Sequence, residues 1–330
     1  MKPAPRLAIT LGDPCGIGPE ILLKILPVIT KKWQITIYGS AVGLSILPKH
    51  DIEYKFCSGK LIFQSMELDW VDSTPEMSRS GFQIGKPSAL SGKCAAEAVR
   101  VATLGIMSGN ADALLTLPIS KTALFMAGID SPGHTELLQK ISGSQRVRMA
   151  FISPSLKIVL HTVHQCLRSV LEELDIDAVA TTLIFTARQF ASLFDLNSPR
   201  IALCAINPHA GEGGLFGNEE KMLEKSIDVA NISFSDFTTI KPIFTGPYPA
   251  DSIFQKASKG KFDGVVALYH DQGLIPVKLL EPDSAVNLTL GLPFIRTSPD
   301  HGTAFDIAGK WIANPNNALA AAELAHSLLR

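Results

Sequence analysis

The chain has 330 residues, with 30 basic and 31 acidic side chains and a formal net charge of −1. Hydrophobic residues make up 46% and charged residues 18%, which is ordinary for a globular protein with a large core and excludes a disordered chain. Because the charge is balanced and no long basic or acidic run occurs, neither nucleic acid nor a membrane is expected as a partner.

The N-terminus and the cysteines indicate a cytoplasmic protein. Met1–Arg6 leads directly into the strand-like run Leu7–Leu11, without the apolar core of a signal peptide. The apolar runs are shorter than the roughly 18 to 20 residues that span a bilayer. The 5 cysteines are scattered and form no C-x-x-C pair, so neither a disulfide framework nor a cysteine zinc site is expected.

Strand-like and helix-like segments alternate, which predicts an α/β architecture. No linker separates them, so two lobes that share a sheet or interleave are expected. In chain order, the predicted elements are a strand at 7–11, a helix at 21–26, a strand at 33–38, a helix at 92–107 capped by Ser91, strands at 113–117, 149–153 and 157–160, a helix at 176–194, strands at 201–206 and 264–269, and a helix at 318–329.

A glycine-rich segment follows the first strand. Gly12–Glu20 lies between a strand and a helix, as a dinucleotide fingerprint does. Gly16-Ile17-Gly18 lacks the third glycine of G-x-G-x-x-G, so a Rossmann fold is rejected. The segment is expected to form a tight turn that lines a cleft.

Three apolar runs each lead into a histidine. The run 157–160 precedes His164, the run 201–206 precedes His209, and the run 264–269 precedes His270. Ligands of open α/β sheets bind beyond the carboxyl ends of the strands, so the three imidazoles can converge there and suit zinc or a similar divalent ion. For each histidine alone, a purely structural role at a strand end is the alternative. Without H-E-x-x-H, a zincin-type protease is disfavoured.

Two further groups of residues suit an anionic ligand. Ser131–Leu138 places Thr135 where a helix begins, and exposed backbone N–H groups at such a position attract phosphate. A simple capped helix start is the alternative. Lys278, Asn287 and Arg296 would suit carboxylate and phosphate groups, although each residue type alone is also common on a solvated surface.

Taken together, these motifs resemble the 4-hydroxythreonine-4-phosphate dehydrogenase family of vitamin B6 (pyridoxal phosphate) biosynthesis, almost from end to end. His301–Lys310 is also similar to the adenosine-binding loop of isocitrate and isopropylmalate dehydrogenases. The stretches that carry the resemblance are Gly12–Glu20, Gly133–Glu136, Asn207–Gly214, Gly246–Asp251, Tyr269–Gly273 and Val286–Gly302.

The resemblance implies a fold and a reaction. The fold is a two-lobed α/β/α sandwich like isocitrate and isopropylmalate dehydrogenases, with a cofactor-side lobe (1–130 plus 285–330) and a metal, substrate and dimerisation lobe (131–284). NAD or NADP would take a hydride from the alcohol carbon of 4-phosphooxy-L-threonine, and the β-keto acid would lose carbon dioxide to give 3-amino-2-oxopropyl phosphate. One divalent metal per site (Zn²⁺, Mg²⁺ or Co²⁺) would polarise the hydroxyl and stabilise the enolate.

The resemblance also implies residue roles and a homodimer with its active site at the interface, where His270 reaches the His164–His209 pair of the partner. The implied metal ligands are His164, His209 and His270. The implied substrate ligands are His134, Thr135, Lys278, Asn287 and Arg296, the implied cofactor contacts are Gly291, His301 and Asp306, and the implied catalytic groups are Lys278, for proton transfer, and Asp251, which orients a ligand.

Three other functions remain open. One is a paralogous dehydrogenase acting on D-threonate or D-erythronate 4-phosphate, because those substrates present the same phosphate, hydroxyl and carboxylate groups. His164-Gln165-Cys166-Leu167 replaces a more usual His-hydrophobic-Pro-Leu and can reshape the pocket. The others are a non-catalytic phosphometabolite-binding protein and a metal-dependent hydrolase.

Overall fold

The structure, a computed structural model, describes residues 3–48, 53–234 and 239–329. The chain forms two compact units, Met1–Val147 with Val286–Arg330 (the first unit) and Arg148–Ala285 (the second unit). No helix within the described ranges is long and apolar enough to cross a membrane.

The strands and helices alternate as the sequence predicts. The first segment of the first unit contains β1 Arg6–Thr10, α1 Gly18–Ile29, β2 Gln34–Gly39, α2 Ala41–Ser45, β3 Tyr54–Cys57, β4 Lys60–Phe63, β5 Met66–Asp72, α3 Ala89–Met107, β6 Ala113–Thr116, α4 Lys121–Met126 and α5 His134–Ser142. The second unit contains β7 Arg148–Ile152, β8 Lys157–Leu160, α6 Leu167–Glu172, α7 Ile176–Phe194, β9 Arg200–Cys204, a short 3-10 segment Pro208–Gly214, α8 Glu219–Phe234, β10 Ile243–Tyr248, α9 Ala250–Ser258, β11 Gly264–Ala267 and α10 His270–Leu280. The first unit then resumes with β12 Val286–Leu290, β13 Ile295–Pro299 and α11 Asn316–Leu328.

The first unit is built on a mixed sheet. Its strands β13, β6, β1, β2 and β5 are parallel neighbours in that order, while β12 pairs antiparallel with β13, and β4 pairs antiparallel with β5 and β3. The central strands are continuous apolar runs because they are buried on both faces. Because β13, β6, β1, β2 and β5 run parallel, their carboxyl ends lie at one edge of this sheet.

The second unit has its own parallel core. Strands β10, β9, β11 and β8 are parallel neighbours, and β7 pairs antiparallel with β8. A cluster of buried side chains from β8, β9, β11, α9 and α10 packs against this sheet. The topology brings the segments that follow β9, β11 and β8 to the same edge of the sheet.

Two details differ from the sequence predictions. Ser88, rather than Ser91, caps α3, and the two serines bond reciprocally in a capping box. The boundary expected at residue 130 lies at residue 147 instead. The physical reason is that Leu137 and Leu138 of α5 are buried in the same apolar cluster as α3, so 131–147 belongs to the first unit.

Candidate active site

The three candidate metal ligands follow three neighbouring parallel strands of the second unit. His164 follows β8, His270 follows β11, and His209 follows β9, which confirms the expectation that these strand ends share one sheet edge. The side chains of His164 and His209 are exposed, and that of His270 is half-exposed. All three imidazoles are therefore accessible for coordination.

Two of the rings are adjacent within one chain. The ring centroids of His164 and His270 lie 5.7 Å apart, with the ring planes inclined by 38°. The Nδ1 atom of His270 lies 2.7 Å from Asp271 Oδ1. A carboxylate on one ring nitrogen fixes the tautomer and leaves the other nitrogen, here Nε2, for a metal ion.

His209 lies apart from that pair in an unusual backbone segment. Within the described part of the chain, no three His, Cys, Asp or Glu side chains are grouped closely enough to hold a metal. The rings of His209 and Phe216 lie 6.3 Å apart between centroids. In one chain, His164 thus pairs with His270, whereas the family resemblance implies a pairing of His164 with His209.

Side chains bind the three strand ends to one another. Gln272 is buried, accepts a hydrogen bond from Leu268 N (2.7 Å) and donates one to the Ala205 carbonyl (2.8 Å). Thr162 Oγ1 donates to the Leu268 carbonyl (2.6 Å). These bonds link the segment after β11 to those after β9 and β8, and so they hold together the backbone segments that carry the histidines.

The first unit contains a buried guanidinium, that of Arg296. This residue on β13 is 1% exposed. Its Nε and Nη2 atoms donate to Thr116 Oγ1 (3.0 and 2.6 Å), and Nη1 donates to Thr289 Oγ1 (2.9 Å). Burial lowers the pKa of Arg296 to about 9, and the carboxylate of Glu136 opposes that shift through space. Among the described residues no carboxylate forms an ion pair with it, so a buried positive charge is left for an anionic ligand.

Two neighbouring candidates have buried polar atoms without a partner among the residues that the structure describes. These atoms are His134 Nε2 and Asn287 Oδ1. Burial, assisted by the charge of Arg296, holds the pKa of His134 well below its ordinary value, so the imidazole is neutral. Thr135 is buried beside it in the first turn of α5, which begins at His134. A ligand that enters here would satisfy both orphaned atoms.

The glycine-rich turn packs against the adenosine-like loop. Ile17 N donates to the Thr303 carbonyl (3.0 Å), and a Cβ at Gly16 would lie 2.8 Å from that oxygen. His301 Nδ1 lies 3.1 Å from the Gly302 carbonyl, Asp306 is exposed in the following turn, and Gly291 has φ +89° just after β12. The two motifs therefore pack together within the first unit, where every residue of the turn at 12–20 is buried.

The two candidate catalytic residues lie on helices of the second unit. Lys278 is in the last turn of α10 and Asp251 is in the first turn of α9, and both side chains are exposed. With a rise of about 1.5 Å per residue, Lys278 stands about 12 Å along α10 from His270.

Four residues that organise these sites were given no role from the sequence, although Gln272 and Thr289 lie in stretches that carry the family resemblance. Thr116 and Thr289 hold the guanidinium, while Gln272 and Glu220 hold the loops that carry the histidines. A strand threonine or a glutamate in a helix is common, so only the three-dimensional contacts distinguish these residues.

Comparison with solved structures defines the class of fold. Isocitrate dehydrogenase from Methylococcus capsulatus matches with a TM-score of 0.51 at 14% identity, covering 97% of this chain and 84% of that chain. The structure of 4-hydroxythreonine-4-phosphate dehydrogenase from Klebsiella pneumoniae matches with a TM-score of 0.84 at 35% identity, covering 99% of this chain and 100% of that chain. The protein has the α/β fold of the isocitrate dehydrogenase type, rather than a Rossmann fold.

The sequence comparisons define the family within that class. The model of the family described as pyridoxal phosphate biosynthetic protein PdxA matches residues 40–325. A 4-hydroxythreonine-4-phosphate dehydrogenase from Desulfosudis oleivorans is 37% identical over 98% of this chain and 96% of its own length. A D-threonate 4-phosphate dehydrogenase from Pectobacterium atrosepticum is 37% identical over 98% of both. The chain belongs to the PdxA family and is a dehydrogenase, an oxidoreductase.

Proposed function

We propose that the protein oxidises 4-hydroxythreonine 4-phosphate with NAD and a divalent metal and then decarboxylates the product to 3-amino-2-oxopropyl phosphate in pyridoxal phosphate biosynthesis. The observation that carries the proposal is Arg296, a buried guanidinium without a carboxylate partner among the described residues. Burying an unpaired charge is unfavourable unless a ligand neutralises it. A doubly anionic substrate, with phosphate and carboxylate groups, supplies that neutralisation.

The bonds of Arg296 determine how it would receive an anion. A guanidinium has five N–H donors, and its edge formed by Nε and Nη2 is occupied by Thr116 Oγ1. Thr289 takes one donor of Nη1, so one N–H remains on each terminal nitrogen. Two oxygens of one phosphate or carboxylate can bind such a pair end-on. Neutral His134 would donate to the same anion through Nε2, whereas Asn287 Oδ1 is an acceptor and suits a hydroxyl or ammonium group of the substrate.

The histidines suit the metal chemistry that the reaction needs. Neutral imidazole is a common ligand of divalent ions, and the bond between His270 and Asp271 orients one of the rings. A divalent ion held there would supply Lewis acidity at the substrate hydroxyl and ketone oxygens, and NAD would supply the hydride acceptor. Lys278 is proposed to accept the hydroxyl proton, and Asp251 to orient a ligand. Gly291, His301 and Asp306 are proposed to contact the cofactor.

A direct comparison of substrates tests the proposal. The D-threonate 4-phosphate dehydrogenase of Pectobacterium atrosepticum is as similar to this chain as the relative from Desulfosudis oleivorans, which favours D-threonate 4-phosphate as a second candidate. NADH formation is measured with 4-hydroxythreonine 4-phosphate, D-threonate 4-phosphate and D-erythronate 4-phosphate. The proposal expects the highest kcat/KM for the amino acid. A higher value for either hydroxy acid would establish the second function instead.

We further propose a homodimer whose interface carries the metal site. Each histidine-bearing segment of the second unit also exposes large apolar side chains. Leu167 is 60% exposed after His164, Leu215 is 74% exposed after His209, and Leu279 on α10 is 77% exposed. Exposed apolar surface of this kind is typical of protein interfaces. The proposal fits the exposure of the candidate ligands, because a partner would cover them.

Mixed dimers determine which ligands come from which chain. If His270 joins His164 and His209 of the partner, mixing inactive His164→Ala and His270→Ala chains recreates one intact site per mixed dimer. Random pairing then restores about a quarter of the wild-type activity. Mixing His164→Ala with His209→Ala chains restores none. If His164 and His270 serve the same site from one chain, the first mixture stays inactive, and that result would refute the proposed sharing.

A further inference from the structure

The loop that carries His209 has a strained backbone. His209, Ala210, Gly211, Glu212 and Gly213 all have positive φ angles, of 52°, 53°, 76°, 44° and 67°. Left-handed backbone is unfavourable for residues with a Cβ, and three of these five residues, His209, Ala210 and Glu212, carry one. Such a segment persists only when its surroundings hold it in place.

One buried carboxylate contacts the loop on both sides of His209. Glu220, in the first turn of α8, is 6% exposed. Before His209, its Oε1 accepts hydrogen bonds from Ile206 N (3.2 Å) and Asn207 N (2.8 Å), and its Oε2 accepts one from Asn207 Nδ2 (2.9 Å). After His209, a Cβ at Gly211 would lie 2.7 Å from Oε2, so the carboxylate packs directly against that glycine.

We propose that Glu220 is a positioning residue that clamps the strained loop and so places His209 for metal binding. Its hydrogen bonds from Ile206 N and Asn207 N fix the backbone three and two residues before His209, and its contact with Gly211 fixes the backbone two residues after. The inference rests on the proposed function, because it assumes that His209 is a metal ligand. It goes beyond that function by naming the residue that determines where this ligand stands.

The neighbouring Glu219 provides a matched control. Its Oε2 also accepts a hydrogen bond from Asn207 Nδ2 (2.7 Å), but Glu219 reaches neither Ile206 N nor Asn207 N and is only partly buried. Glu219→Gln and Glu220→Gln make the same chemical change at adjacent positions. The proposal therefore predicts different effects for them.

The test measures metal binding to the full-length protein. Cobalt(II) and zinc affinities are determined by competition with a coloured chelator, and the visible spectrum of the cobalt(II) protein reports the geometry of its ligands. Glu220→Gln is expected to weaken metal binding by about 10- to 100-fold, the usual effect of removing a group that orients a metal ligand, and to change the cobalt(II) spectrum. Glu219→Gln is expected to stay within about twofold of wild type.

Two further variants keep the test decisive. If Glu220→Gln does not fold by circular dichroism, Glu220→Asp keeps the charge but shortens the side chain by one methylene, so the carboxylate no longer contacts both Asn207 N and Gly211, and metal binding is expected to weaken in the same way. Adding Ala210→Gly to Glu220→Gln lowers the strain directly and is expected to restore part of the lost affinity. The rise in Tm that inorganic phosphate is expected to cause by binding at Arg296 should be the same in all of these variants as in the wild type.

The outcomes separate this inference from the proposed function. Wild-type affinity and an unchanged cobalt(II) spectrum in Glu220→Gln, or in Glu220→Asp if the first variant does not fold, would overturn the clamp and leave the metal site intact. The absence of any restoration by Ala210→Gly would overturn the role of strain. A wild-type protein that binds neither metal would overturn the proposed function, and this inference with it.

Discussion

Replacing Thr116 with valine tests the idea that two threonine hydroxyls hold a buried, unneutralised guanidinium. Valine has nearly the same shape, but it cannot accept the two hydrogen bonds from Nε and Nη2 of Arg296. A hydrogen bond to a charged group contributes about 1.5 kcal/mol or more, so losing two should lower the free energy of unfolding by about 3 kcal/mol. Because Arg296 is 1% exposed, water cannot easily replace the lost acceptor.

The assay compares stability and kinetics with those of a matched variant. Thr297→Val, on the same strand as Arg296, removes one neutral hydrogen bond to the Ala321 carbonyl and should cost about 1 kcal/mol. Thr116→Val should also raise the KM for the phosphorylated substrate by about tenfold, since the guanidinium loses its fixed orientation, whereas Thr297→Val should not. Equal losses of stability in urea unfolding, together with an unchanged KM, would refute the reasoning.

The shifted pKa values of two buried groups, Asp13 and His161, predict opposite effects of pH on the free energy of unfolding. Burial raises the pKa of Asp13 from 3.8 to about 6, so its contribution is fully present below pH 3.8 and is lost as the pH rises through 6. Asp13→Asn should therefore raise the free energy of unfolding by up to about 3 kcal/mol at pH 8 and leave it unchanged at pH 3.5, and an equal offset at both would contradict this. Burial and the charge of Arg148 lower the pKa of His161 from 6.5 to about 4, so stability is present above pH 6.5 and is lost as the pH falls through 4. Between pH 6.5 and pH 4, the free energy of unfolding of His161→Gln, measured in urea, should fall by about 3 kcal/mol less than that of the wild type. The same dependence of the free energy of unfolding on pH in both proteins would contradict the lowered pKa of His161.

The buried part of the fold could be predicted from the sequence because burial leaves a pattern. Strands β1, β6 and β11 are continuous apolar runs since both of their faces are covered, and the helix predicted at 176–194 is α7, Ile176–Phe194. Strands β3, β4 and β5 were not predicted. In β3, half-buried and exposed residues alternate, so its apolar content is too low to distinguish it from a loop.

The sequence predicted only those parts of the candidate site whose residues directly follow the ends of apolar strands. The three histidines follow β8, β9 and β11, which are neighbouring parallel strands. The pattern of an apolar run followed by a histidine therefore predicted that the three residues lie at one edge of the sheet. Among the substrate candidates, His134 and Thr135 lie outside the predicted lobe, because Leu137 and Leu138 pack α5 into the first unit. Asn287 and Arg296 lie in the first unit and Lys278 lies in the second, within the predicted bounds of the two lobes.

The ratio of the two products gives the most direct test of the proposed reaction. The protein is supplied with a divalent metal, NAD and 4-hydroxythreonine 4-phosphate labelled at its carboxyl carbon, and NADH and labelled carbon dioxide are measured together. The account predicts one carbon dioxide for each NADH, with both lost on adding a chelator or on replacing Arg296 with methionine. NADH formed without carbon dioxide, or turnover that survives both perturbations, would contradict it.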